Sequence, residues 1–366
     1  MTSAQTRALS RARSAEHELA GSHSGNLGRH RVLIASEAAR LGRARFAVLE
    51  DAGFELVERY DLIQSKDEDT LAIALKNVWG VVAGGQRFSR RVLESAPSLK
   101  IIARTGVGYD GIDVAAATER KITVFITPGR NAESVADHTL ALILTGLRQI
   151  LPLDARVRSG HWRDGGQIVA DLHHATVGLV GLGQVGKAVA RRLRGFQCRI
   201  IGYEPKPDLE FCAEMGLELR SFPELFSQLD VLSVHVPLTA ETRHMIGRNE
   251  LAQLSPRALV VNTSRGGTVD EAALVALLQG GKLAGAAIDV FEHEPLPAGH
   301  PLTRLPNTIL TPHFAAYSES AVFGMADAVV EGLVRYADGH LPDGALNLGT
   351  VSSVARQADP EADPDE

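Results

Sequence analysis

The chain has 366 residues, a formal net charge of -6 at pH 7 and 45% hydrophobic residues. This length exceeds what one hydrophobic core usually organises, so we expect two domains in an ordinary globular protein. The acidic charge balance argues against nucleic acid as a main partner, and no apolar run in the sequence approaches the roughly 18 residues that a membrane span needs. The two cysteines, Cys198 and Cys212, are too few for a disulfide framework, so we expect the reducing setting of the cytoplasm.

The two ends of the chain differ in composition from the rest. Residues 1–30 are rich in Ala, Ser, Arg and Gly and carry almost no large apolar side chains, so we expect a disordered leader. Residues 351–366 form an acidic segment interrupted by proline, which we also expect to be disordered.

From Val32 onward, short apolar strands alternate with amphipathic helices. The segments "RVLIAS", "FELVERY", "WGVVAGG" and "LKIIARTGVG" are predicted strands with helical segments between them. This alternation predicts a parallel α/β sheet covered by helices on both faces. We assign residues 31–130 to a first, flavodoxin-like α/β domain, and we expect the chain to return to it over residues 315–350.

The longest helical pattern begins at Asn131 and runs through "NAESVADHTLALILTGLRQI". Its apolar positions cover more than one helix face; they are Val135, Leu140, Ile143, Leu144 and Leu147. A helix this apolar usually contacts its own domain and, in addition, a second domain or a second subunit.

A second alternating series, from "ATVGLVGLGQVG" to "TILTPH", predicts a doubly wound parallel sheet of Rossmann type over residues 131–314. In "TVGLVGLGQVGKAVARRL" a strand, a GxGxxG motif and a helix follow one another, which is the context that a dinucleotide-binding loop requires. Gly181 permits the tight turn, Gly183 lets the backbone approach a pyrophosphate, and Gly186 lets the helix and the strand pack closely.

The start of the following helix, at Gln184 and Val185, offers free N–H groups and a partial positive charge to the phosphates of a dinucleotide. Glu204 ends the next predicted strand, "RIIGYE". A carboxylate there binds the adenosine ribose hydroxyls and repels a 2′-phosphate. The sequence therefore predicts NAD as the cofactor, with NADP less favoured, and it predicts no metal site.

Three candidate catalytic side chains follow successive strands of the second sheet. Arg265 follows "ALVVNTS", Glu294 follows "AGAAIDVF" and His313 follows "TILTP", at the carboxyl ends where open α/β sheets bind ligands. The planar fork of arginine suits a carboxylate, and a glutamate beside a histidine favours its charged form. Hydride transfer to a 2-oxo acid needs such a cation and such an acid, so these residues predict that chemistry.

Four segments, "VGLVGLGQVGKAVA", "VNTSRGGTVDEAAL", "GAAIDVFEHEPLP" and "NTILTPH", resemble the D-isomer-specific 2-hydroxyacid dehydrogenases, which include phosphoglycerate dehydrogenases and glyoxylate/hydroxypyruvate reductases. The resemblance covers about residues 32–350. It implies an NAD-dependent oxidoreductase that transfers a hydride between nicotinamide C4 and C2 of a small 2-oxo or D-2-hydroxy acid. It also implies that Arg265 anchors the carboxylate and carbonyl, and that His313, supported by Glu294, is the acid and base.

The resemblance assigns further residues to the cofactor. Asp289 matches a carboxylate beside the nicotinamide carboxamide, and Thr263 matches another cofactor contact. The segment "HVPLT", with His235 and Pro237, resembles a loop that lines the cofactor. For His235, a strand-end histidine satisfied by local hydrogen bonds is an equal alternative.

The segment "RTGVGYDGID" resembles the loop whose N–H groups, around Gly106, Val107 and Gly108, bind the substrate carboxylate. The resemblance makes the first domain the substrate-binding domain and the second domain the NAD-binding domain. It also implies a homodimer formed through the NAD-binding domain by the helix that begins at Asn131.

The segment after His313, "FAAYSES", lacks the glycine common in the family near Ala316 and is more similar to the carboxy-terminal binding protein branch. That branch contains NAD-sensing transcriptional co-repressors, so the alternative function is an NAD(H)-sensing scaffold with little turnover. The Arg–Glu–His set argues against this alternative, because a sensor needs only the fold and Glu204. The sequence does not identify the 2-hydroxy acid or the direction of the reaction.

Overall fold

The computed structural model describes residues 30–163 and 168–347. These residues form two compact units. Unit 1 comprises the described residues up to Thr105, Gly111–Ile126 and the described residues from Ala326 onward. Unit 2 comprises Gly106–Asp110 and the described residues of Thr127–Met325.

The predicted leader, apart from His30, and the predicted acidic tail lie outside the described residues. The predicted domain limits, at 130/131 and 314/315, stay a prediction. The boundaries between the two compact units lie close to these limits, after Ile126 and after Met325.

In the described residues of unit 1, five parallel strands form a sheet in the order β2-β1-β3-β4-β5. The strands are β1 Arg31–Ala35, β2 Glu55–Glu58, β3 Gly80–Ala83, β4 Ile101–Arg104 and β5 Thr123–Phe125. The helices between them are α1 Glu37–Leu41, α2 Ala47–Asp51, α3 Glu68–Leu75, α4 Arg90–Glu94 and α5 Val114–Glu119, with 3-10 turns at Arg43–Phe46 and Tyr60–Leu62. This strand order is that of flavodoxin, as predicted, and the central strand β3 is fully buried because both faces of a parallel sheet are covered.

In unit 2, the described residues form a parallel sheet of seven strands in the order β12-β11-β10-β9-β6-β7-β8. The strands are β6 Thr176–Val180, β7 Arg199–Tyr203, β8 Glu218–Leu219, β9 Val231–Val234, β10 Leu259–Asn262, β11 Gly285–Ile288 and β12 Thr308–Leu310. This is the doubly wound order, and it confirms the predicted Rossmann-type sheet. The order reverses between β6 and β9, so a ligand crevice is expected at the carboxyl ends of these two strands.

The helices of unit 2 are α6 Ala132–Leu147, α7 Ile150–Arg158, α8 Gln184–Arg194, α9 Leu209–Met215, α10 Arg248–Leu251 and α11 Glu271–Gln279, with 3-10 turns at Gly266–Thr268 and Pro301–Arg304. The last helix, α12 Glu319–Ala337, begins in unit 2 and continues in unit 1. Across the described residues, every helix is too short or too polar to cross a membrane.

The predicted long helix, over residues 131–150, is α6, and a separate helix, α7, follows it from Ile150. α6 ends at Leu147, and Gln149 takes a left-handed φ of 53° before α7 starts. Pro152 explains the break, because inside a continuous helix its ring would clash with the preceding turn, whereas the first turn of a new helix has no need of its N–H. The apolar side chains of α6, including Leu140 and Ile143, are buried in the core of unit 2 against α8 and β10. The wide apolar surface of α6 is therefore covered within its own unit.

Candidate functional site

The three candidate catalytic residues lie in loops that follow neighbouring strands. β10, β11 and β12 pair side by side in parallel, so their carboxyl ends share one edge of the sheet. Arg265 follows β10, Glu294 follows β11 and His313 follows β12. The loops pack tightly, because a Cβ on Gly266 would lie 1.9 Å from the backbone carbon of Phe291. The topology of the sheet thus brings the loops that carry the three residues together.

His313 and Glu294 are joined by a direct hydrogen bond. His313 Nδ1 lies 2.8 Å from Glu294 Oε2, and the other oxygen of Glu294 accepts the Phe291 N–H at 3.0 Å. Burial raises the pKa of the Glu294 carboxyl, but the hydrogen bond and charge of His313, the Phe291 N–H and the charge of Arg265 outweigh it and hold this pKa below its usual range. The carboxylate is therefore ionised at neutral pH, so Nδ1 donates to it and Nε2 of His313 is the nitrogen left for a reacting group.

The backbone at His313 is held in an unusual conformation by Asp289. His313 has a left-handed φ of 54°, and its N–H donates to the Asp289 carbonyl at 2.7 Å. The Asp289 carboxylate is fully buried and accepts the N–H groups of Phe314 and Ala315, at 2.8 and 3.0 Å, and the Thr311 hydroxyl at 2.5 Å. Asp289 thus anchors the His313 loop, and the contact with a nicotinamide carboxamide that the resemblance implies stays a prediction.

His138, on α6, extends this network and was not singled out in the sequence. Its Nε2 lies 3.1 Å from the Thr311 hydroxyl and 3.6 Å from Asp289 Oδ1. Because the single hydroxyl proton of Thr311 is given to Asp289, His138 Nε2 is the donor to Thr311. No motif spacing links these positions, since 173 residues separate His138 from Thr311.

The Arg265 guanidinium is fixed by two hydrogen bonds. Its Nε donates to Asp110 Oδ1 at 3.0 Å, and its Nη1 donates to the Ser264 carbonyl at 2.7 Å. The backbone is fixed as well, because the Arg265 carbonyl accepts the Asn262 side-chain amide at 2.9 Å. Asp110 is a second residue that the sequence analysis did not identify, although it lies two positions after Gly108 in the predicted substrate loop.

The first residue of the predicted substrate loop is hydrogen-bonded within the protein. Gly106 has a φ of 128°, which favours glycine, and its N–H donates to the Thr127 hydroxyl at 2.9 Å. This N–H is therefore used inside the protein in this structure, and its predicted contact with a substrate carboxylate stays a prediction. The N–H groups of Val107 and Gly108 donate to no acceptor within residues 30–163 and 168–347, so they remain candidates for this contact.

The glycine loop after β6 has the shape that a dinucleotide requires. Gly181 has a φ of 94°, and a Cβ there would lie 2.9 Å from the backbone of His235. A Cβ on Gly186 would lie 2.1 Å from the Gly181 carbonyl oxygen, so only glycine fits between loop and helix. By contrast, a Cβ on Gly183 would have no atom of the described residues within 4 Å, which leaves room for a ligand at the backbone. These residues fit a bound pyrophosphate.

The remaining predicted cofactor residues surround this loop or lie near the catalytic strands. α8 begins at Gln184, followed by Val185, so its first turn presents N–H groups at the glycine loop. Glu204 follows β7, and its carboxylate accepts the Leu182 N–H of the loop at 2.9 Å. Pro237 follows β9, and Thr263, after β10, is buried with its hydroxyl 2.8 Å from that of Thr139.

His235 directly follows β9, at the point where the strand order reverses. Its Nε2 lies 3.0 Å from the Ser233 hydroxyl, whereas its buried Nδ1 has no hydrogen-bond partner among the described residues. Burial lowers the pKa of the His235 imidazole to about 4, so the ring is neutral at pH 7. The local hydrogen bond expected for a strand-end histidine is present, but it satisfies only one ring nitrogen.

We expect His235 to make the protein less stable as the pH falls from 6.5 towards 4. The unfolded chain binds a proton on this histidine near its ordinary pKa of 6.5, whereas the folded chain binds it only near 4, so in this window protonation favours unfolding. Between pH 7 and pH 5 the free energy of unfolding should fall by about 2 kcal/mol because of this group. Urea unfolding at pH 7 and at pH 5 measures this fall in the free energy of unfolding. In His235→Gln the fall should be smaller by about 2 kcal/mol. An equal loss in both proteins would contradict the expectation.

Comparisons with known proteins identify the family of the chain. The family model described as "D-isomer specific 2-hydroxyacid dehydrogenase, NAD binding domain" matches residues 140–315. The glyoxylate reductase of Korarchaeum cryptofilum is 42% identical over 264 residues, which cover 71% of this chain and 80% of that protein. The D-3-phosphoglycerate dehydrogenase of Archaeoglobus fulgidus is 38% identical over 74% of this chain, but the match spans only 51% of that longer protein.

A solved structure is similar over most of its length. It is the NADPH-dependent glyoxylate/hydroxypyruvate reductase of Sinorhizobium meliloti in complex with NADP and malonate, with a TM-score of 0.76 and 33% identity. The similarity covers 88% of this chain and 98% of that chain. The chain belongs to the D-isomer-specific 2-hydroxyacid dehydrogenase family and is an oxidoreductase with a domain that binds a nicotinamide dinucleotide.

Proposed function

We propose that the protein catalyses the reversible reduction of a small 2-oxo acid to the D-2-hydroxy acid, with NADH as the reductant. The observation that carries this proposal is the His313–Glu294 pair, 2.8 Å apart, in a loop cluster with Arg265. A bound nicotinamide dinucleotide supplies the hydride to C2 in reduction and accepts it in oxidation. The names of the relatives, glyoxylate reductase and D-3-phosphoglycerate dehydrogenase, support a substrate with a carboxylate next to the reacting carbon.

The side chains of the protein bind the substrate and transfer the proton. Arg265 binds the substrate carboxylate through its terminal nitrogens and places its positive charge beside the carbonyl oxygen. His313, whose Nδ1 is held by Glu294, gives the proton on Nε2 to the emerging alkoxide and takes it back in the reverse reaction. The N–H groups of Val107 and Gly108 add donors for the carboxylate.

We assign residues 131–314 as the cofactor domain and residues 31–130 with 315–350 as the substrate domain, with NAD preferred over NADP. Glu204 supports this preference, because its negative charge at the end of β7 repels a 2′-phosphate. The Sinorhizobium meliloti relative was solved with NADP, so the comparison of NADH with NADPH is part of the test.

The test is the loss of NADH or NADPH absorbance with a panel of 2-oxo acids that includes glyoxylate, hydroxypyruvate and pyruvate. Reduction of at least one acid, with a higher kcat/KM for NADH than for NADPH, is the expected result. Tight NADH binding without appreciable reduction of any acid would favour the alternative, an NAD(H)-sensing scaffold. A higher kcat/KM with NADPH would reject the role given to Glu204 and leave the reaction class standing.

We also propose that two copies of the chain associate through α7 of unit 2. Ile150, Leu153 and Val157 recur at helical spacing on α7 and are at least 36% exposed, which is unusual for a stripe of large apolar side chains. In sedimentation experiments the parent protein should behave as a dimer and Val157→Glu as a monomer, because the dimer would bury an unpaired charge.

Ile73→Glu is the matched control for this substitution. Ile73 lies on α3 of unit 1 and is 66% exposed, so the same change there should leave the dimer intact. A parent protein that is monomeric at micromolar concentration would contradict the proposed association.

A further inference from the structure

The segment Gly106–Asp110 holds the Arg265 side chain from one side. Asp110 Oδ1 accepts the Nε–H of Arg265 at 3.0 Å, and the Arg265 side chain is only 21% exposed. On its other side, Nη1 donates to the Ser264 carbonyl at 2.7 Å. An arginine has five N–H donors in a fixed plane, so two bonds of this kind set the direction of the donors that remain.

Gly108 makes room for the guanidinium. A Cβ on Gly108 would lie 1.3 Å from Arg265 Nη2 and 2.4 Å from Cζ, so any side chain at this position would occupy the place of the guanidinium. The backbone does not explain the glycine, because Gly108 lies outside the left-handed φ region, whereas Gly106 has a φ of 128°. Gly108 and Asp110 therefore act on the same group, one by leaving space and the other by binding it.

We propose that Asp110 is a positioning residue for Arg265, and that Gly108 lets the guanidinium lie against the substrate loop with Nη2 directed to the substrate carboxylate. The inference rests on the proposed function, because it concerns the residue that binds this carboxylate. Arginine has a long flexible side chain, so a fixed Nε removes much of the freedom that would otherwise be lost on substrate binding. Asp110 supports binding in this arrangement and does not compete with the substrate for the guanidinium.

A double-mutant cycle tests whether Asp110 acts through Arg265. With glyoxylate and saturating NADH, Asp110→Ala should lower kcat/KM by about 10- to 100-fold, which is typical of a lost hydrogen bond to a charged group. Asp110→Asn keeps an acceptor oxygen for Nε and should retain most of the activity. In the Arg265→Ala background, Asp110→Ala should cause no further loss.

Three results would overturn the proposal. An equal loss from Asp110→Ala with and without Arg265 would mean that Asp110 only stabilises the loop. A lower KM for glyoxylate in Asp110→Ala would mean that Asp110 competes with the substrate. Unchanged kinetics in Asp110→Ala would mean that Arg265 needs no such support.

Gly108→Ala is the second variant, and Gly324→Ala is its control. The new methyl group at position 108 should displace the guanidinium and lower kcat/KM at least 10-fold without changing the unfolding midpoint. A Cβ on Gly324, in α12, would have ordinary contacts at 3.8 Å with Arg130, so this variant should keep the parent kinetics. Full activity of Gly108→Ala would overturn the role given to Gly108.

Binding of oxamate separates this proposal from the proposed function. Oxamate has the carboxylate and carbonyl of a 2-oxo acid but an unreactive amide, and its binding to the NADH-loaded protein can be measured by calorimetry. If no 2-oxo acid is reduced, the proposed function fails. The positioning role is still supported if Asp110→Ala weakens oxamate binding in the parent background but does not weaken it further in the Arg265→Ala background. Absence of oxamate binding to the parent protein, or equal binding to Asp110→Ala, would overturn it.

Discussion

Replacing His313 with glutamine is expected to slow the reduction of 2-oxo acids by about 10²- to 10⁴-fold, the usual contribution of a positioned general acid. The imidazole is held by Glu294 through Nδ1, so Nε2 can give a proton to the alkoxide, which a glutamine amide cannot do at neutral pH. The measurement is kcat for glyoxylate with saturating NADH. NADH affinity, followed by fluorescence, should stay close to that of the parent because the glycine loop is untouched.

The chain offers a closely matched control in His244. Its Nε2 lies 3.0 Å from Glu292 Oε1, its φ is 52°, and its side chain is 43% exposed, compared with 41% for His313. Glutamine is tolerated at a left-handed φ in this fold, as Gln149 and Gln197 show. His244→Gln should therefore keep kcat near the parent value, and an unchanged kcat in His313→Gln would remove His313 from the mechanism.

The sequence alone predicts the edge of the sheet at which the three candidate catalytic residues meet. Each strand is a short apolar run, and the alternation with helices predicts that all strands are parallel. The polar residues that follow successive strands must then lie at one edge. This is why Arg265, Glu294 and His313 can be grouped without an atomic structure. The glycine loop is predictable for a similar reason, because strand, motif and helix are contiguous in the chain.

Contacts between residues far apart in the chain cannot be predicted from strand alternation or from contiguous motifs. Asp110 and Arg265 are 155 residues apart, and no periodic pattern connects them. Gly106 and Gly108 look equivalent in "RTGVGYDGID". In the structure, Gly106 is needed because its φ is positive, whereas Gly108 is needed because a side chain there would occupy the place of the Arg265 guanidinium. Only the folded backbone distinguishes these two reasons for a glycine.

Asp289 shows a different limit of the sequence. The resemblance to the family implies that the Asp289 carboxylate contacts the nicotinamide carboxamide of the cofactor. In the structure the same carboxylate faces inward and accepts the N–H groups of Phe314 and Ala315, which otherwise would be unsatisfied beside the left-handed His313. Burial therefore makes this residue a support for the loop, a role that follows only from its folded neighbours, and the contact with the cofactor stays a prediction.

Arg265→Lys is expected to lower kcat/KM by about 10²- to 10³-fold, as the loss of a well-placed donor at a developing oxyanion does. Lysine keeps the positive charge but has a single nitrogen, so it cannot bind Asp110 and the Ser264 carbonyl while also presenting a planar edge to a carboxylate. KM should rise because Arg265 binds the carboxylate in the ground state, and kcat should fall because Arg265 polarises the carbonyl in the transition state. Initial rates over a range of glyoxylate concentrations separate the rise in KM from the fall in kcat.

Arg31→Lys controls for the general effect of exchanging these two cations. Arg31 Nε also lies 3.0 Å from a carboxylate oxygen, that of Glu55, but this pair is on the surface of unit 1, where such bonds contribute little. The kinetics of Arg31→Lys should match those of the parent within experimental error.

If Arg265→Lys also matched the parent, the substrate carboxylate would have to be anchored by a group other than the guanidinium, and the N–H groups of Val107 and Gly108 would be the first alternatives. A fall in kcat with no change in KM would instead restrict Arg265 to the carbonyl oxygen, because a residue that also anchors the carboxylate must affect both parameters.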